Sequence, residues 1–521
     1  MNRTISLVIV LITVFVFPLA QAYQISPNPN PVSSTITVDT NDAENFLDFF
    51  NYGQLGISSS GALNNEGPLN DRYRGSLYNY GFLTNNGTLY NQFGGYVYSY
   101  GFLTNNGTLY NQYSSYLYNY GFLTNNGTLD NSVSTYLYNY GFLTNNGTLY
   151  YRGFLGNSGT LNNNGILATR KFFLEGGSIL DNYSSGTLNN NGTLINSGWS
   201  YLTNRGHLNN NGILANGGVL DNYSSATLNN FGTLTNSTEG WLTNSGTLNN
   251  YGTLRSIGVG MSEWSHLSNC GILNNYGTLD NFSDNQLVNS GTLNNYGTLN
   301  NSNGVWWNSG TLINNGILNN GGRDYSGIFN NGIIAGTGSY IQTSGQIINN
   351  GSMSQTSIAI NGGRLSGSGI INGNVTIGSS ASVYPGNSPG TMTINGNVSS
   401  SGNLFFEIGG LGTGQYDVLD INGNAIFTGG IINFDFISGY SPSVGNYWDF
   451  LFADSISGWD TLSFTFDGLG SGLGWQFISS NGDERLLITQ AQAVPEPATM
   501  LLVGSGLIGL VGYGRKRFFK K

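Results

Sequence analysis

GFLTNNGTLYNQFGGYVYSY, residues 81–100, is a unit that this chain repeats twice more without a gap, as GFLTNNGTLYNQYSSYLYNY (101–120) and GFLTNNGTLDNSVSTYLYNY (121–140). A half copy ends the run at Tyr150, and glycines at the same spacing recur in weaker copies as far as Gly297. A fixed period of this length is the signature of a repeat protein whose units stack on one another.

Apolar residues recur at wide intervals within one unit, as Leu83, Leu89, Val97 and Leu103 do. An amphipathic helix needs returns after three and four positions, so this spacing excludes one. Each apolar residue instead stands alone in a short polar segment bounded by Asn-Gly or Tyr-Gly, residues that form tight corners. We therefore predict an all-β chain in which three strands and three corners make one coil of a parallel β-helix.

Stacked coils place equivalent residues above one another, about 4.8 Å apart. The predicted interior columns are Leu83, Leu103, Leu123 and Leu143; Leu89, Leu109, Leu129 and Leu149; and Val97, Leu117 and Leu137. The predicted ladders are Asn86, Asn106, Asn126 and Asn146, joined by amide hydrogen bonds, and two tyrosine stacks, Tyr80, Tyr100, Tyr120 and Tyr140 beside Tyr78, Tyr98, Tyr118 and Tyr138. Residues 75–151 contain one charged side chain, Asp130, which agrees with stacking because like charges would repel at this separation.

The repeats at 249–254 and 294–299, both NNYGTL, resemble those of β-helical passengers in filamentous adhesins and autotransporters. This resemblance implies a right-handed β-helix, and the repeat period sets its coil at about 20 residues. A left-handed hexapeptide helix is the alternative, because two of the three sides are six residues long. The spacing slips at 150–186 and at 253–271, where inserted residues are expected to loop out.

The sequence pattern changes after the repeats, from about residue 363. PGNSPGT (385–391) and YDVLDING (416–423) resemble the C-terminal end of autotransporter-like passengers, which implies wider, irregular coils that cap the helix. A cap is expected on physical grounds, since an open end exposes unpaired backbone groups. We predict an N-terminal linker and cap over 23–60, β-helix repeats over 61–362 and the C-terminal β-helix and cap region over 363–493.

Both ends of the chain carry export signals. Residues 1–22 read as a signal peptide for Sec export, with Arg3 before an apolar core and Ala20-Gln21-Ala22 as the cleavage site. At the other end, an uncharged apolar stretch over 498–514 is about 26 Å long as a helix, enough for one short transmembrane helix. The basic residues that follow it are expected to stay on the cytoplasmic side.

The tail over 494–521 combines three elements in a fixed order: Pro495-Glu496-Pro497, the apolar stretch, and the basic end Arg515-Lys516-Arg517. It resembles the PEP-CTERM sorting signal. The resemblance implies that an exosortase recognises Pro495, Glu496 and Pro497 and removes the tail. The protein would then be anchored transiently in the inner membrane and later reach the cell surface or the extracellular space.

The charge of the chain excludes several classes of partner. The net charge is −10, and removal of Arg3, Glu496 and the five basic tail residues makes it −15 for the processed protein. A chain this acidic is not expected to bind nucleic acid or anionic lipid surfaces. The single cysteine, Cys270, excludes an intramolecular disulfide framework, so packing and hydrogen bonds must hold the fold.

The Asp, His and Cys residues that could catalyse a reaction or bind a metal do not form a recognisable site. Asp181 and Asp221 recur in the same phrase two repeats apart, but no basic or histidine partner shares their register, and both are interpreted as solvated corner residues. Asp417 and Asp420 are interpreted as turn formers, His207 and His266 as unpaired, and Cys270 as a buried small residue. We predict no catalytic, metal or cofactor site. Exposed aromatic residues are expected to offer stacking surfaces to sugar rings, namely Tyr78, Tyr80, Trp199, Trp241, Trp306 and Trp307.

These observations favour a non-enzymatic, exported protein of the cell surface or extracellular matrix, with a structural or adhesive role in association with exopolysaccharide. One alternative is a β-helical enzyme or binding protein that acts on polysaccharide. A second alternative is an amyloid-forming matrix subunit, because the repeats are nearly free of charge and rich in strand formers.

Overall fold

The computed structural model describes residues 23–491 apart from 41–42, 46, 170–176, 238, 259–264, 284, 324–325 and 481. The predicted signal peptide and the predicted sorting tail with its transmembrane helix lie outside the described residues. Within the described ranges, no helix is long and apolar enough to span a membrane. The chain forms an all-β parallel solenoid of about 18 turns. The parallel β-helix and its coil of about 20 residues were both predicted from the sequence. Its contacts divide it into two units, 1–359 and 360–521.

Each coil of the first unit has three sides. The first side consists of Tyr23–Gln24, Ala43–Asn45, Ala62–Asn65, Phe82–Asn85, Phe102–Asn105, Phe122–Asn125, Phe142–Asn145, Thr160–Asn163, Thr187–Asn190, His207–Asn210, Thr227–Asn230, Thr247–Asn250, Ile272–Asn275, Thr292–Asn295, Thr311–Asn314, Ile333–Ala335 and Ser352–Ser354. The second side consists of Phe49–Asn51, Pro68–Asp71, Thr88–Asn91, Thr108–Asn111, Thr128–Asn131, Thr148–Tyr151, Ile166–Ala168, Thr233–Ser237, Thr253–Ile257, Thr278–Phe282, Thr298–Ser302, Ile317–Gly321 and Ser339–Gln342.

The third side consists of Thr35–Val38, Gln54–Ile57, Ser76–Asn79, Tyr96–Ser99, Tyr116–Asn119, Tyr136–Asn139, Phe154–Asn157, Ile179–Asn182, Trp241–Asn244, His266–Asn269, Gln286–Asn289, Val305–Asn308, Gly327–Asn330 and Gln346–Asn349. Two longer strands, Thr193–Asn204 and Ile213–Asn222, pass from the second side to the third. Strands of one side pair in parallel with the equivalent strands of the coils before and after, so Leu83 lies beside Leu103 and Leu103 beside Leu123.

Every strand of the exact repeats buries its second and fourth residues. The second residue is Leu or Val, and the three predicted interior columns are confirmed, with every member almost fully buried. The fourth residue is usually asparagine, so each side contributes one apolar and one amide column to the interior. The core therefore alternates hydrocarbon with hydrogen-bonded amides, and the amides must be satisfied within the protein.

The interior asparagines satisfy one another from coil to coil. On the first side each Nδ2 donates to Oδ1 of the asparagine in the following coil at 2.6–2.8 Å, through Asn45, Asn65, Asn85, Asn105, Asn125, Asn145, Asn163, Asn190, Asn210, Asn230, Asn250, Asn275, Asn295 and Asn314. The second proton of Nδ2 goes to a backbone carbonyl, as from Asn105 to Thr128 at 2.9 Å. These ladders hold the coils in register, because a slip would break every amide bond at once.

A second ladder of the same kind lines the third side, with distances of 2.6–2.8 Å, through Asn119, Asn139, Asn157, Asn182, Asn204, Asn222, Asn244, Asn269, Asn289, Asn308, Asn330 and Asn349. The predicted exposed ladder is also confirmed: Asn106 donates to Asn86 at 2.7 Å, Asn126 to Asn106 at 2.8 Å and Asn146 to Asn126 at 2.9 Å.

The Asn-Gly and Tyr-Gly corners need glycine for close approach and not for a special backbone angle. Neither Gly101 nor Gly107 has a left-handed φ. A Cβ atom at Gly101 would collide with the carbonyl oxygen of Gly81 in the preceding coil, and one at Gly107 with that of Gly87. Glycine at these corners therefore lets consecutive coils hydrogen-bond at their closest separation.

The first predicted slip in spacing begins with a shorter coil. Leu137 pairs with Leu155, although the regular period would place its partner at residue 157. The coil is shorter because the corner before Phe154 has two residues fewer than the equivalent corner of the preceding coil. Just before that corner, Tyr151 ends the strand Thr148–Tyr151 in a position that asparagine holds in the preceding coil. It is fully buried and donates from its hydroxyl to the carbonyl of Ile195 at 3.1 Å. Inserted residues were expected to loop out within 150–186 and 253–271, and parts of these regions, 170–176 and 259–264, lie outside the described residues.

In the second unit the strands become longer and less regular. Ser357–Gly367 spans the boundary between the units, and the remaining elements are Ile370–Asn372, Val375–Pro385, Thr391–Asn395, Val398–Ser400, Asn403–Ile408, Val418–Phe427, Ile431–Phe436, Tyr447–Ser457, the 3-10 helix Trp459–Thr461, Ser463–Asp467, Leu473–Ser480 and Asp483–Gln490. Parallel pairing continues to Ser463–Asp467. The last two strands form an antiparallel pair that also joins Tyr447–Ser457.

Candidate functional site

Aromatic side chains cover one part of the outer surface of the first unit in continuous stacks. Neighbouring ring centroids are 4.8–5.3 Å apart and the ring planes lie within 10° of parallel. We name the stacks by their first residues: the Tyr78 ladder (Tyr78, Tyr98, Tyr118, Tyr138), the Tyr80 ladder (Tyr80, Tyr100, Tyr120, Tyr140), the Tyr96 ladder (Tyr96, Tyr116, Tyr136) and the Phe82 ladder (Phe82, Phe102, Phe122, Phe142). Both tyrosine stacks predicted from the sequence are confirmed.

Close stacking limits what these rings can bind. An interior ring such as Tyr98 has Tyr78 on one face and Tyr118 on the other, so it presents mainly its edge to solvent. Burial, followed by the neighbouring phenols, raises the pKa of Tyr98 and of Tyr118. A sugar ring stacks on the face of an aromatic ring, so only the ring at the end of a ladder can offer a stacking surface.

The two ends of the Tyr78 ladder differ. Tyr138 lies beside Gly156, and the rings of Phe154 and Tyr183 fill the space that a side chain at Gly156 would take. Tyr78 lies beside Gly56 at the other end, where the adjoining space is open. This recess has a volume of about 400 Å³ and is lined by Thr35, Thr37, Gln54, Gly56, Ile57, Ser58, Tyr78 and Tyr80.

A second recess lies on the same unit around two of the predicted tryptophans. Three residues, 198–200, stand opposite Gly218 alone, and this bulge pushes Trp199 outward until its side chain is 87 % exposed. Trp241 packs against His266 with ring centroids 4.4 Å apart and ring planes tilted by 37°, and both residues line a recess of about 440 Å³. Burial lowers the pKa of His266, which favours its neutral form. The recess is lined by Gly198, Trp199, Tyr201, Gly217, Gly218, Val219, Glu239, Trp241 and His266.

The prediction for Trp306 was wrong. Trp306 takes the place of a leucine in an interior column, beside Leu287, and is fully buried. Its neighbour Trp307 is exposed, as expected, and stacks on Phe329 at 4.3 Å. Trp306 and Trp307 alternate in direction because they are consecutive residues of one strand.

The interpretation of Asp181 and Asp221 as solvated corner residues was also wrong. Both lie within strands of the third side, in one column with Thr203 between them. Asp181 is buried, accepts a hydrogen bond from Thr203 at 2.7 Å and is paired with Arg205 at 3.1 Å. Burial raises the pKa of Asp221. The basic partner was missed because Arg205 occupies the corner after Asn204 and not a strand position.

Asp417 and Asp420 do not form turns. Asp417 is buried, and its carboxylate accepts hydrogen bonds from the backbone amides of Gly390 at 2.8 Å and Glu407 at 2.9 Å, which ties two segments of the second unit together. Burial, aided by the charge of Glu407, raises the pKa of Asp417 to about 7. Asp420 lies in the strand Val418–Phe427, where alternate side chains point outward.

Cys270 is exposed, which corrects its interpretation as a buried residue. It occupies the corner position before Gly271, equivalent to Ser245 before Gly246 in the preceding coil. His207 stands on the outer surface of its strand between Thr187 and Thr227. In the part of the chain that the structure describes, no group of three or more His, Cys, Asp or Glu residues is arranged to hold a metal ion.

The comparison with protein families gives a match at the C-terminal end of the sequence. A family model described as the PEP-CTERM protein-sorting motif matches residues 493–517. The match includes Pro495, Glu496, Pro497 and the basic residues Arg515 to Arg517. None of the curated proteins matches the chain. The motif indicates an exported protein with a C-terminal membrane-anchoring signal and implies processing by an exosortase.

Proposed function

We propose that this protein is a non-enzymatic structural or adhesive component of the cell surface or extracellular matrix, held in association with exopolysaccharide. The observation that carries the proposal is the union of two features in one chain: a PEP-CTERM sorting motif and a β-solenoid with repetitive, nearly uncharged outer faces. The sorting motif marks the protein for export. The solenoid gives it a long, regular surface of hydroxyl, amide and aromatic groups.

The interior suits a protein that works outside the cell without disulfides. Amide ladders and leucine columns run through successive coils, so each coil is held by its neighbours through many weak contacts. The exposed side chains of the exact repeats are Phe, Tyr, Asn and Ser, all uncharged. Their polar groups can contact sugar hydroxyls, and the rings at the ends of the ladders can contact sugar ring faces. An associative role with a glycan uses this surface as it stands.

The carboxylates support the non-enzymatic part of the proposal. An inverting glycosidase needs two carboxylates with room for a water between them, one of them free to act as a base. Asp181 is engaged by Arg205 and Thr203, and Thr203 separates it from Asp221 in the column. This arrangement stabilises one carboxylate as a structural ion pair.

The proposal is tested in the native host by following the protein through fractionation with an antibody. We expect wild-type protein in the extracellular polysaccharide fraction, released when that polysaccharide is digested. A variant with Pro495, Glu496 and Pro497 replaced by alanine should remain in the inner membrane. Wild-type protein that stays soluble and free of polysaccharide would contradict the association. Depolymerisation of the host exopolysaccharide by the purified protein would assign an enzyme instead, and a cross-β diffraction pattern from assembled protein would favour the amyloid subunit.

A further inference from the structure

We infer that the recess beside Gly56, at the open end of the Tyr78 ladder, is a binding slot for one neutral pyranose ring of a polysaccharide. The inference deepens the proposed association with exopolysaccharide and rests on it. The slot is defined by the residues that line the recess: Thr35, Thr37, Gln54, Gly56, Ile57, Ser58, Tyr78 and Tyr80.

The slot exists because the coils before the first ring of the Tyr78 ladder have small residues at the equivalent positions. Tyr78 lies beside Gly56, and Gly56 lies beside Thr37 in the coil before it. Tyr78 stacks on Tyr98 through one face, with ring centroids 5.0 Å apart, and lines the recess on the other side. One aromatic ring is therefore missing from the regular series at Gly56, and a flat ligand entering there would continue the stack.

The opposite end of the same ladder provides an internal comparison. Gly156 lies beside Tyr138 as Gly56 lies beside Tyr78, so the backbone leaves the same gap at both ends. The protein fills the gap at Gly156 with the rings of Phe154 and Tyr183. At Gly56, the atoms nearest to where a Cβ would lie are the carbonyl oxygen of Ile36 at 3.8 Å and the hydroxyl of Thr37 at 4.0 Å. The space beside Gly56 is thus of the kind that rings occupy in this protein, and no side chain of the described residues takes it.

The chemistry of the lining identifies the class of ligand. Thr35, Thr37 and Ser58 offer hydroxyl groups and Gln54 an amide, so the polar groups are neutral and can both donate and accept hydrogen bonds. A pyranose ring carries hydroxyl groups around its edge and C–H groups on its face, which suits this rim and the tyrosine face together. Among the described residues the lining contains no cation, and the processed chain is strongly acidic, so a uronic acid or another anionic sugar is disfavoured.

Gly56 allows a clean test because a side chain fits at this position. Its φ lies outside the left-handed region, and a Cβ would make only ordinary van der Waals contacts at 3.8 and 4.0 Å. The variant Gly56→Ala should keep the slot, whereas Gly56→Tyr should fill it by extending the Tyr78 ladder by one ring. Equal thermal unfolding midpoints for the two variants would show that both fold normally.

The experiment measures binding to the full-length exported protein by titration calorimetry. The probes are cellohexaose, mannohexaose and maltohexaose as neutral hexaoses, with hexagalacturonate as the anionic comparator. We expect wild type and Gly56→Ala to bind at least one neutral hexaose, Gly56→Tyr to bind it at least tenfold more weakly, and hexagalacturonate to bind weakly to all three. Equal affinity of Gly56→Tyr and Gly56→Ala, absence of binding to every neutral hexaose, or tighter binding of hexagalacturonate would each overturn the slot.

Cosedimentation with the host exopolysaccharide separates this inference from the proposed function. If wild type and Gly56→Tyr cosediment equally well, the slot is wrong and the association stands. If wild type does not cosediment at all, both the association and the slot fail. Reduced cosedimentation of Gly56→Tyr alone supports both.

Discussion

Asp71 occupies a position that asparagine holds in the neighbouring coils. It lies between Asn51 and Asn91 on the second side and is fully buried. Asn51 donates to its Oδ1 at 2.7 Å, whereas its Oδ2 and the Oδ1 of Asn91 are both buried without a hydrogen-bond partner among the described residues. A protonated carboxyl could donate from Oδ2 to Asn91, and burial raises the pKa of Asp71 well above its ordinary value. We therefore interpret Asp71 as a neutral acid that stands in for an amide.

The first prediction concerns Asp71→Asn, which restores the amide ladder. At pH 7 the variant should be more stable than wild type by roughly 1–3 kcal/mol, because at that pH the fold must either hold the buried carboxyl protonated or bury its charge, and an amide does neither. Because the folded pKa is raised, the stability that the neutral acid provides is present below the unfolded pKa of about 3.9 and is lost as pH rises toward the folded pKa. The gain from the substitution should accordingly be small at pH 3 and grow with pH, as measured by urea unfolding.

The exposed Asp39 supplies the control for this substitution. Asp39→Asn should leave stability within about 0.5 kcal/mol of wild type at every pH. An Asp71→Asn variant whose stability follows that of wild type across the same pH range would show that Asp71 is not a neutral acid in the fold.

At the scale of the strand, the ladder on the third side contains a flaw that can be repaired. Ser99 stands where neighbouring coils have Asn79 and Asn119. Asn79 donates to the Ser99 hydroxyl at 3.2 Å, but the Oδ1 of Asn119 is buried and has no partner within the described residues. The serine side chain is too short to carry the ladder onward.

The second prediction is that Ser99→Asn stabilises the protein by about 1 kcal/mol, the net contribution of one buried hydrogen bond. The matched variant Ser99→Ala removes the remaining acceptor for Asn79 and should destabilise by a similar amount. Thermal and urea unfolding of the three proteins measure the order. If Ser99→Asn proved less stable than Ser99→Ala, the amide ladders would not be a source of stability.

Period and residue type predicted the leucine columns, the tyrosine stacks and the three-sided coil, because a short fixed repeat leaves few ways to bury one Leu per strand. The interior asparagines were not predictable from residue type, since asparagine is usually exposed and tolerates burial here only with a partner of its own kind in the next coil. Alignment by coil could have found them. The same alignment of 305–308 with 286–289 places Trp306 in a leucine position, and alignment of Cys270 with Ser245 places it at an exposed corner.

Binding sites depend on where the regularity ends, and the repeat unit alone does not reveal this. Tyr78 and Tyr80 were predicted as stacking residues, but nothing in the repeat favours them over Tyr98 or Tyr100. The structure supplies the reason, because Tyr78 and Tyr80 line the open recess at the start of their ladders. Likewise Trp199 becomes exposed through a bulge whose extra residues are visible only once strand pairing is known.

At the scale of the whole molecule, the chain combines a C-terminal sorting motif with a β-solenoid whose coils stabilise one another. The match to the PEP-CTERM motif and the parallel β-solenoid are independent observations, one from the last residues and one from the repeats. Together they support the proposal that the protein is exported, loses its tail and then acts outside the cell through its surface.

Mass spectrometry of the protein recovered from washed extracellular matrix tests this central claim most directly. We expect a chain that begins at Tyr23 and ends near Ala493, without the Pro-Glu-Pro motif, the apolar stretch or the basic end. Matrix protein that still carries residues 494–521 would contradict removal of the tail. It would also contradict the proposed route by which the protein reaches the extracellular matrix.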